Sequence, residues 1–155
     1  MAGNIGLLRG TWQTMMTTEL NSLAAATGAL QATGTNPAFD NTLALGTGLF
    51  LWADFELSVT YAVAPTAGKT VDLYLIPLAS AGGTTYWDGS ASIQQANLYV
   101  GSFILRNIST LHILGIRGIP LPPQKCIVSI VNNGDQALAA SGNTVKMFPY
   151  GESYS

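Results

Sequence analysis

The sequence predicts an all-β fold, an antiparallel β-sandwich of jelly-roll type with an N-terminal extended arm. Three observations lead to this prediction. Several short segments alternate between apolar and polar residues, turn-forming residues separate them, and no strand–helix alternation is visible. A chain of 155 residues is long enough for one sizeable core. We therefore expect an arm at residues 1–48, one sandwich domain at residues 49–150 and a short tail at residues 151–155.

The arm is predicted from a change in composition. Residues 1–48 are rich in Ala, Thr, Gly and Asn and show no clear strand pattern. Within them, Met16, Leu20 and Leu23 lie at helical spacing, so a short helix is compatible with residues 14–26. Beyond Ala26 the periodicity is lost, which indicates an extended segment with little core of its own.

The sandwich is predicted from alternation along the rest of the chain. In residues 55–63 the odd positions are large and apolar, whereas the even positions are Glu, Ser, Thr and Ala. A second strand is predicted at residues 71–78, and Pro77 should end it or place it on an edge because proline has no donor for the ladder. Further strands are predicted at residues 98–106, 110–117, 126–132 and 144–148, the third of them apolar on both faces. Six to eight short strands with turns between them favour the jelly roll.

Low charge is the most unusual property of the composition. Only 9% of the residues are charged, against about 25% in an average soluble domain, and the mean hydropathy is +0.31. So few charges cannot coat a free surface, so the exterior should be covered either by lipid or by other protein. No run approaches the roughly 18 apolar residues of a membrane span, and the N-terminus does not resemble a secretory signal. We therefore expect protein, not membrane, as the partner.

Several kinds of chemistry are not expected. Six basic residues spread over the chain give no patch for nucleic acid. The only histidine, His112, lies in a strand context, and no nucleophile motif or phosphate loop is present, so we predict no enzymatic activity and no cofactor. The only cysteine, Cys126, should be a buried, inert thiol. Asp54 and Glu56 lie on one strand face and could share a calcium ion, but a solvated pair is commoner. Glycan hydrolysis would need two of the eight acidic residues, and nothing in the sequence singles out one pair.

Two features could carry binding. The adjacent aromatic residues Tyr86 and Trp87 lie in a small, polar loop and could stack on a sugar or anchor a protein, or else plug the end of the sandwich. The arm carries apolar residues that could cover the sandwich of the same subunit or reach a neighbouring one, and both alternatives stay open. The candidate interface residues of the arm are Leu7, Leu8, Trp12, Met15 and Met16.

The order of several motifs resembles that of small structural proteins encoded in tailed-phage genomes. These motifs are Thr-Thr-Glu-Leu-Asn-Ser-Leu (17–23), Ala-Asp-Phe-Glu-Leu-Ser-Val (53–59), Ala-Pro-Thr-Ala-Gly-Lys-Thr-Val-Asp-Leu-Tyr-Leu (64–75), Arg-Gly-Ile-Pro-Leu-Pro-Pro (117–123), Val-Asn-Asn-Gly (131–134) and Ala-Ala-Ser-Gly-Asn-Thr-Val-Lys-Met-Phe-Pro-Tyr (139–150). The resemblance covers about residues 17–150, and none of its motifs is catalytic.

The resemblance implies a capsid cement or decoration protein with a jelly-roll body. Such a protein would be made in the host cytoplasm, would associate with itself as a dimer or trimer, and would bind the major capsid protein on the outer surface of the virion. The alternative function is a tail- or fibre-associated carbohydrate-binding module that uses Tyr86 and Trp87.

Overall fold

The chain forms two antiparallel sheets packed face to face, as predicted. The computed structural model describes residues 5–42, 49–78 and 98–154. Their strands are β1 (Ile5–Arg9), β2 (Gln13–Met16), β3 (Thr27–Leu30), β4 (Phe39–Asp40), β5 (Phe50–Val59), β6 (Thr70–Pro77), β7 (Tyr99–Ile104), β8 (His112–Pro120), β9 (Lys125–Asn132) and β10 (Thr144–Tyr154), with a 3₁₀ turn at Thr18–Leu20.

The strand order is that of a jelly roll. In the first sheet the order is β1–β10–β5–β8, and β2 also pairs with β10. In the second sheet the order is β3–β9–β6–β7, and β4 also pairs with β9. Since β1 and β2 follow one edge of β10, and β3 and β4 follow one edge of β9, each pair acts as one interrupted strand. With each pair counted as one strand, the two sheets have four strands each, and the chain passes repeatedly from one sheet to the other. This is the jelly-roll arrangement.

The alternation read from residues 55–63 correctly gives the inward face of β5. Ala53, Phe55, Leu57 and Val59 are buried, and the residues between them are partly exposed. The regular strand ends at Val59, however, so Val63 lies in the following loop and is exposed. Strand β5 lies inside its sheet, between β10 and β8. Its residues alternate because one face of the sheet covers the core and the other face is open.

Strand β9 is apolar on both faces because two apolar clusters meet it. Cys126, Val128 and Ile130 face the main core between the sheets. Ile127 faces the other way, into a smaller cluster with Ile76 and Leu78 that is packed by Leu30, Ala38 and Leu98. The outer face of the second sheet is therefore covered at one end by the chain itself.

The segment predicted as an arm is part of the sandwich. Residues 5–42 supply β1 to β4, which pair with the two C-terminal strands, and Met15, Met16, Leu20 and Leu23 lie in the main core. The predicted helix at residues 14–26 is reduced to the 3₁₀ turn, because β2 occupies residues 13–16. The predicted tail is also corrected, since β10 continues to Tyr154 and pairs there with β1.

Buried amide side chains attach this N-terminal segment to the body. Gln31, Asn41, Asn132 and Asn143 are all nearly inaccessible to solvent. Gln31 accepts a hydrogen bond from the Val128 N–H at 2.9 Å and donates to the carbonyl oxygens of Asn36 and Pro37. Asn41 bridges the carbonyl oxygens of Phe50 and Pro122, both at 2.8 Å. In a chain with few charges and therefore few possible ion pairs, hydrogen bonds from neutral amides thus attach the N-terminal segment to the body.

Candidate functional site

Two open surfaces of the sandwich are candidates for binding. In the described residues, seven large apolar or aromatic side chains stay substantially exposed: Leu7, Trp12, Val63, Tyr99, Ile104, Leu111 and Ile113. Three of them, Val63, Ile104 and Leu111, lie at one end of the molecule, and we call this surface the apolar edge. Leu7 and Trp12 lie on the outer face of the first sheet, and Ile113 lies between the two surfaces.

The apolar edge is built by two loops that are hydrogen-bonded to each other. The Tyr61 N–H donates to the Ser109 carbonyl at 3.3 Å, and the Asn107 side chain donates to the Pro65 carbonyl at 2.9 Å. Two further backbone bonds, at 3.0 and 2.8 Å, join residues 68–69 to Leu105. Residues 60–69 and 105–111 are therefore held as one unit, and Val63, Leu111 and the adjacent Ile104 keep 47–64% of their surface exposed.

Two buried rings support this unit from below. Tyr61 and His112 pack edge to face with centroids 5.5 Å apart. The His112 Nε2 lies 2.9 Å from the Ile108 carbonyl oxygen, which indicates that Nε2 carries the proton and donates. Burial, followed by the charge of Asp135, raises the pKa of Tyr61. The loop that carries Leu111 is thus fixed to the core rather than free to fold over its own apolar side chains.

Unpaired strand edges flank the apolar edge. Among the described strands, β7 pairs only with β6 and β8 pairs only with β5. The backbone N–H and C=O groups on their outer sides therefore have no described strand as partner. Exposed aliphatic side chains beside such groups are typical of a surface that binds another protein.

The second surface carries four aromatic rings, and we call it the aromatic face. Trp12, Trp52, Phe148 and Tyr150 lie on the outer face of the first sheet. Trp12 and Phe148 pack with centroids 5.4 Å apart, and Trp52 and Tyr150 stack with centroids 6.1 Å apart. Each ring is thus braced by a neighbour, so the face is ordered before any partner arrives.

A shallow pocket of about 260 Å³ opens on the aromatic face between β5 and β8. Its lining comprises Trp12, Asp54, Phe55, Glu56, Ile113, Leu114, Gly115 and Arg117. The Asp54 Oδ1 accepts a hydrogen bond from the Gly118 N–H at 3.0 Å. Burial, then the charge of Asp54 and a hydrogen bond to it, raises the pKa of Tyr150 above its usual range. Asp54 is thus a positioned carboxylate at the side of the pocket.

The structure separates the interface residues predicted from the sequence. Leu7 and Trp12 are exposed, whereas Leu8 is half-buried and opposite Gly151. Met15 and Met16 are almost completely buried in the main core, so neither can contact a partner while β2 stays folded. The prediction of Met15 and Met16 as interface residues is therefore corrected.

The other predicted site residues fall in different places. Tyr86 and Trp87 lie outside the described residues, so a role for them in binding stays a prediction. Asp54 and Glu56 do share one face, as expected, and both line the pocket. No cluster of three or more His, Cys, Asp or Glu that could hold a metal occurs within residues 5–42, 49–78 and 98–154.

The apolar edge was not identified from the sequence, although one signal was present. Leu111 and Ile113 flank His112 in a run that is apolar on both strand faces. The side chain of His112 is buried, so the two neighbours must point outward. Only the position of β8 at the edge of its sheet shows that nothing in the described chain covers them.

Comparison with known proteins adds no assignment. No protein-family model matches the sequence, and no curated protein matches it at a significant level. Within residues 5–42, 49–78 and 98–154, no helix is long and apolar enough to cross a bilayer.

Proposed function

We propose that this protein is a non-enzymatic structural component of a phage virion, a cement or decoration protein that binds the major capsid protein on the outer surface of the shell. The apolar edge of Val63, Ile104 and Leu111, beside the edges of β7 and β8 that no described strand pairs with, is the observation that carries the proposal. The motif order over residues 17–150 supports the phage origin, and the low charge supports a covered exterior.

The energy available at the apolar edge suits a repeated, moderately weak contact. Burying a Val, Leu or Ile side chain completely is worth about 1.5–3 kcal/mol. Since the three side chains are already about half covered, each can contribute roughly 1–1.5 kcal/mol on docking. A sum of about 3–4.5 kcal/mol reaches only the lower end of the roughly 4–15 kcal/mol that immobilising one molecule costs. Binding should therefore depend on many contacts acting together, through a dimer or trimer of this chain or through many sites on a shell.

The backbone edges add specificity to this contact. A strand that pairs with β7 or β8 must align its N–H and C=O groups with theirs, which apolar burial alone does not require. Lys69 and Arg106 are exposed close to the apolar edge and form a polar rim. An apolar centre with a polar rim is the usual anatomy of a protein–protein interface.

The proposal is tested with shells that lack this protein. We expect Leu111→Ser to lower the affinity for shells by about tenfold, since about 1.4 kcal/mol corresponds to that factor. Leu7→Ser is the matched control, because Leu7 is an equally large and even more exposed side chain at the opposite edge of the same sheet. Both variants should keep the wild-type thermal stability, because surface substitutions usually change it by less than about 0.5 kcal/mol.

Co-sedimentation with shells measures the bound fraction of each variant. Reduced binding of Leu111→Ser with normal binding of Leu7→Ser supports the proposal. Normal binding of Leu111→Ser and of an Ile104→Ser, Leu111→Ser double variant would contradict it. Sedimentation velocity of the free protein measures self-association in the same variants and shows whether the apolar edge also joins copies of this chain.

A further inference from the structure

The pocket on the aromatic face has walls of two chemical kinds. One wall is the indole ring of Trp12, which is 51% exposed and is held in place by Phe148. The lining also contains the polar side chains of Asp54, Glu56 and Arg117. An aromatic surface in one pocket with several hydrogen-bonding groups suits a ligand that has one apolar face and several hydroxyls.

The floor of the pocket is open because residue 115 is a glycine. A Cβ built on Gly115 would meet only the Phe55 carbonyl oxygen, at 3.7 Å, so the backbone does not require glycine at this position. A larger side chain there would extend into the pocket. The small floor between Trp12 and Arg117 is therefore what creates the cavity.

Two of the polar groups are available to a ligand. Among the residues that the structure describes, neither the Glu56 carboxylate nor the Arg117 guanidinium has a hydrogen-bond or ion-pair partner. Asp54 keeps acceptor capacity besides its bonds to the Gly118 N–H and to Tyr150, because a carboxylate can accept about four hydrogen bonds. The pocket thus offers carboxylate acceptors and a planar donor within a space about as large as one sugar ring.

We infer that this pocket binds a pyranose saccharide. The C–H face of the sugar ring stacks on Trp12, its hydroxyls donate to Glu56 and Asp54, and one hydroxyl accepts from Arg117. An anionic ligand would be repelled by the two carboxylates, and a purely apolar one would leave them unpaired. The volume of about 260 Å³ lies below the range of about 300–1,000 Å³ typical for drug-sized ligands, so one ring enters and the rest of a glycan stays outside.

This inference does not depend on the proposed function. The residues that carry it lie on the aromatic face, whereas Val63, Ile104 and Leu111 carry the docking proposal. A particle that binds its shell through one surface can present the other to glycans. The two proposals can therefore fail separately, and Leu111→Ser should leave sugar binding unchanged.

The test is a titration of the ¹⁵N-labelled protein with methyl glycosides of glucose, galactose, mannose and N-acetylglucosamine, followed by NMR. We expect at least one glycoside to shift the Trp12 indole N–H signal in a saturable way. Sorbitol is the matched ligand control, because it has the hydroxyls of a hexose but no ring face, and it should cause no saturable shift.

Variants separate the pocket from the rest of the surface. Trp12→Ala and Gly115→Leu should each weaken binding at least tenfold, the first by removing the stacking surface and the second by filling the cavity. Glu56→Gln should weaken it less, and Tyr99→Ala, which alters an exposed ring on the other sheet, should have no effect. Absence of a saturable shift with all four glycosides would overturn the inference, as would equal binding of sorbitol or unchanged binding by a folded Gly115→Leu variant.

Discussion

Replacing Asn132 by Ala should destabilise the protein more than almost any other polar substitution. The Asn132 side chain is completely buried where β9 ends. Its Nδ2 lies 2.9 Å from the Gln136 carbonyl oxygen and 3.2 Å from that of Leu23, and its Oδ1 accepts from the Gly134 N–H at 3.0 Å. One amide thus joins the N-terminal segment, β9 and the following turn.

The size of the effect follows from the groups left without partners. Leu23 keeps a second hydrogen bond from the Leu138 N–H at 3.0 Å, so its carbonyl is not left unpaired. The Gly134 N–H and the Gln136 carbonyl lose the partner that Asn132 provides. At about 1–3 kcal/mol for each buried unsatisfied group, and allowing for some entry of water, we expect a loss of about 2–4 kcal/mol. This loss corresponds to a fall in Tm of about 5–15 °C for a domain of this size.

Chemical and thermal denaturation of three variants measure the effect. Asn133→Ala is the matched control, because the adjacent Asn133 is exposed and makes its 2.6 Å hydrogen bond to Asp72 at the surface; it should cost less than about 1 kcal/mol. Asn132→Asp keeps the shape but removes the donor, so it should be at least as damaging as Asn132→Ala. If Asn132→Ala were no less stable than Asn133→Ala, buried amides would not be what ties the N-terminal segment to the body.

Three further predictions concern two core residues and one partly buried carboxylate. Burial raises the pKa of the Cys126 thiol to about 12, so Ellman's reagent should not react with the native protein but should react fully in guanidinium; native reactivity would contradict the burial. Glu19 is partly buried, which raises its pKa, but its bonds from the Thr17 and Ala32 N–H groups lower the pKa by more, so the net pKa lies below the usual value. The stability from this carboxylate is present above its unfolded-state pKa of about 4.3 and is lost as pH falls through the lower folded-state pKa. Glu19→Gln should therefore be less stable than wild type at neutral pH and equally stable in strong acid. A difference in stability that persists in acid would refute this. Met147→Ala, at a fully buried core position, should cost about 2–5 kcal/mol in denaturant unfolding, and a loss below about 1 kcal/mol would show that the site is loosely packed.

The strands that were predicted correctly are those whose pattern is local. In β5 the alternation gives the inward face directly, and in β9 the run of apolar residues reflects two clusters on opposite faces. Strand β6 ends at Pro77, as predicted, although the Leu78 N–H still donates to the Lys125 carbonyl at 2.8 Å. In these segments, neighbouring residues in the sequence already contain the information that the sheet uses.

The N-terminal segment was misread because its structure depends on distant partners. Strands β1 to β4 have two to five residues each, too few for a clear period, and they pair with β9 and β10 near the other end of the chain. The bonds that hold them come from amides such as Asn132, which is 109 positions from Leu23. Nothing in an Ala-, Thr-, Gly- and Asn-rich stretch indicates which of its amides will be buried.

The candidate surfaces were predictable only in part. Trp12 was identified as a binding residue and is exposed, but its bracing by Phe148 and its position at a pocket depend on the pairing of β2 with β10. Leu111 belongs to an apolar run that is evident in the sequence. Its exposure, however, follows from the position of β8 at the edge of its sheet, which the sequence does not indicate. Face and spacing can be read from sequence, whereas edge positions require the topology.

The most direct test of the proposed function is an image reconstruction of the intact virion, combined with quantitative mass spectrometry of its proteins. We expect this chain in a copy number proportional to that of the major capsid protein, with Val63, Ile104 and Leu111 buried against the shell or against a second copy. A virion that lacks the chain, or one in which the apolar edge faces solvent, would contradict the proposal.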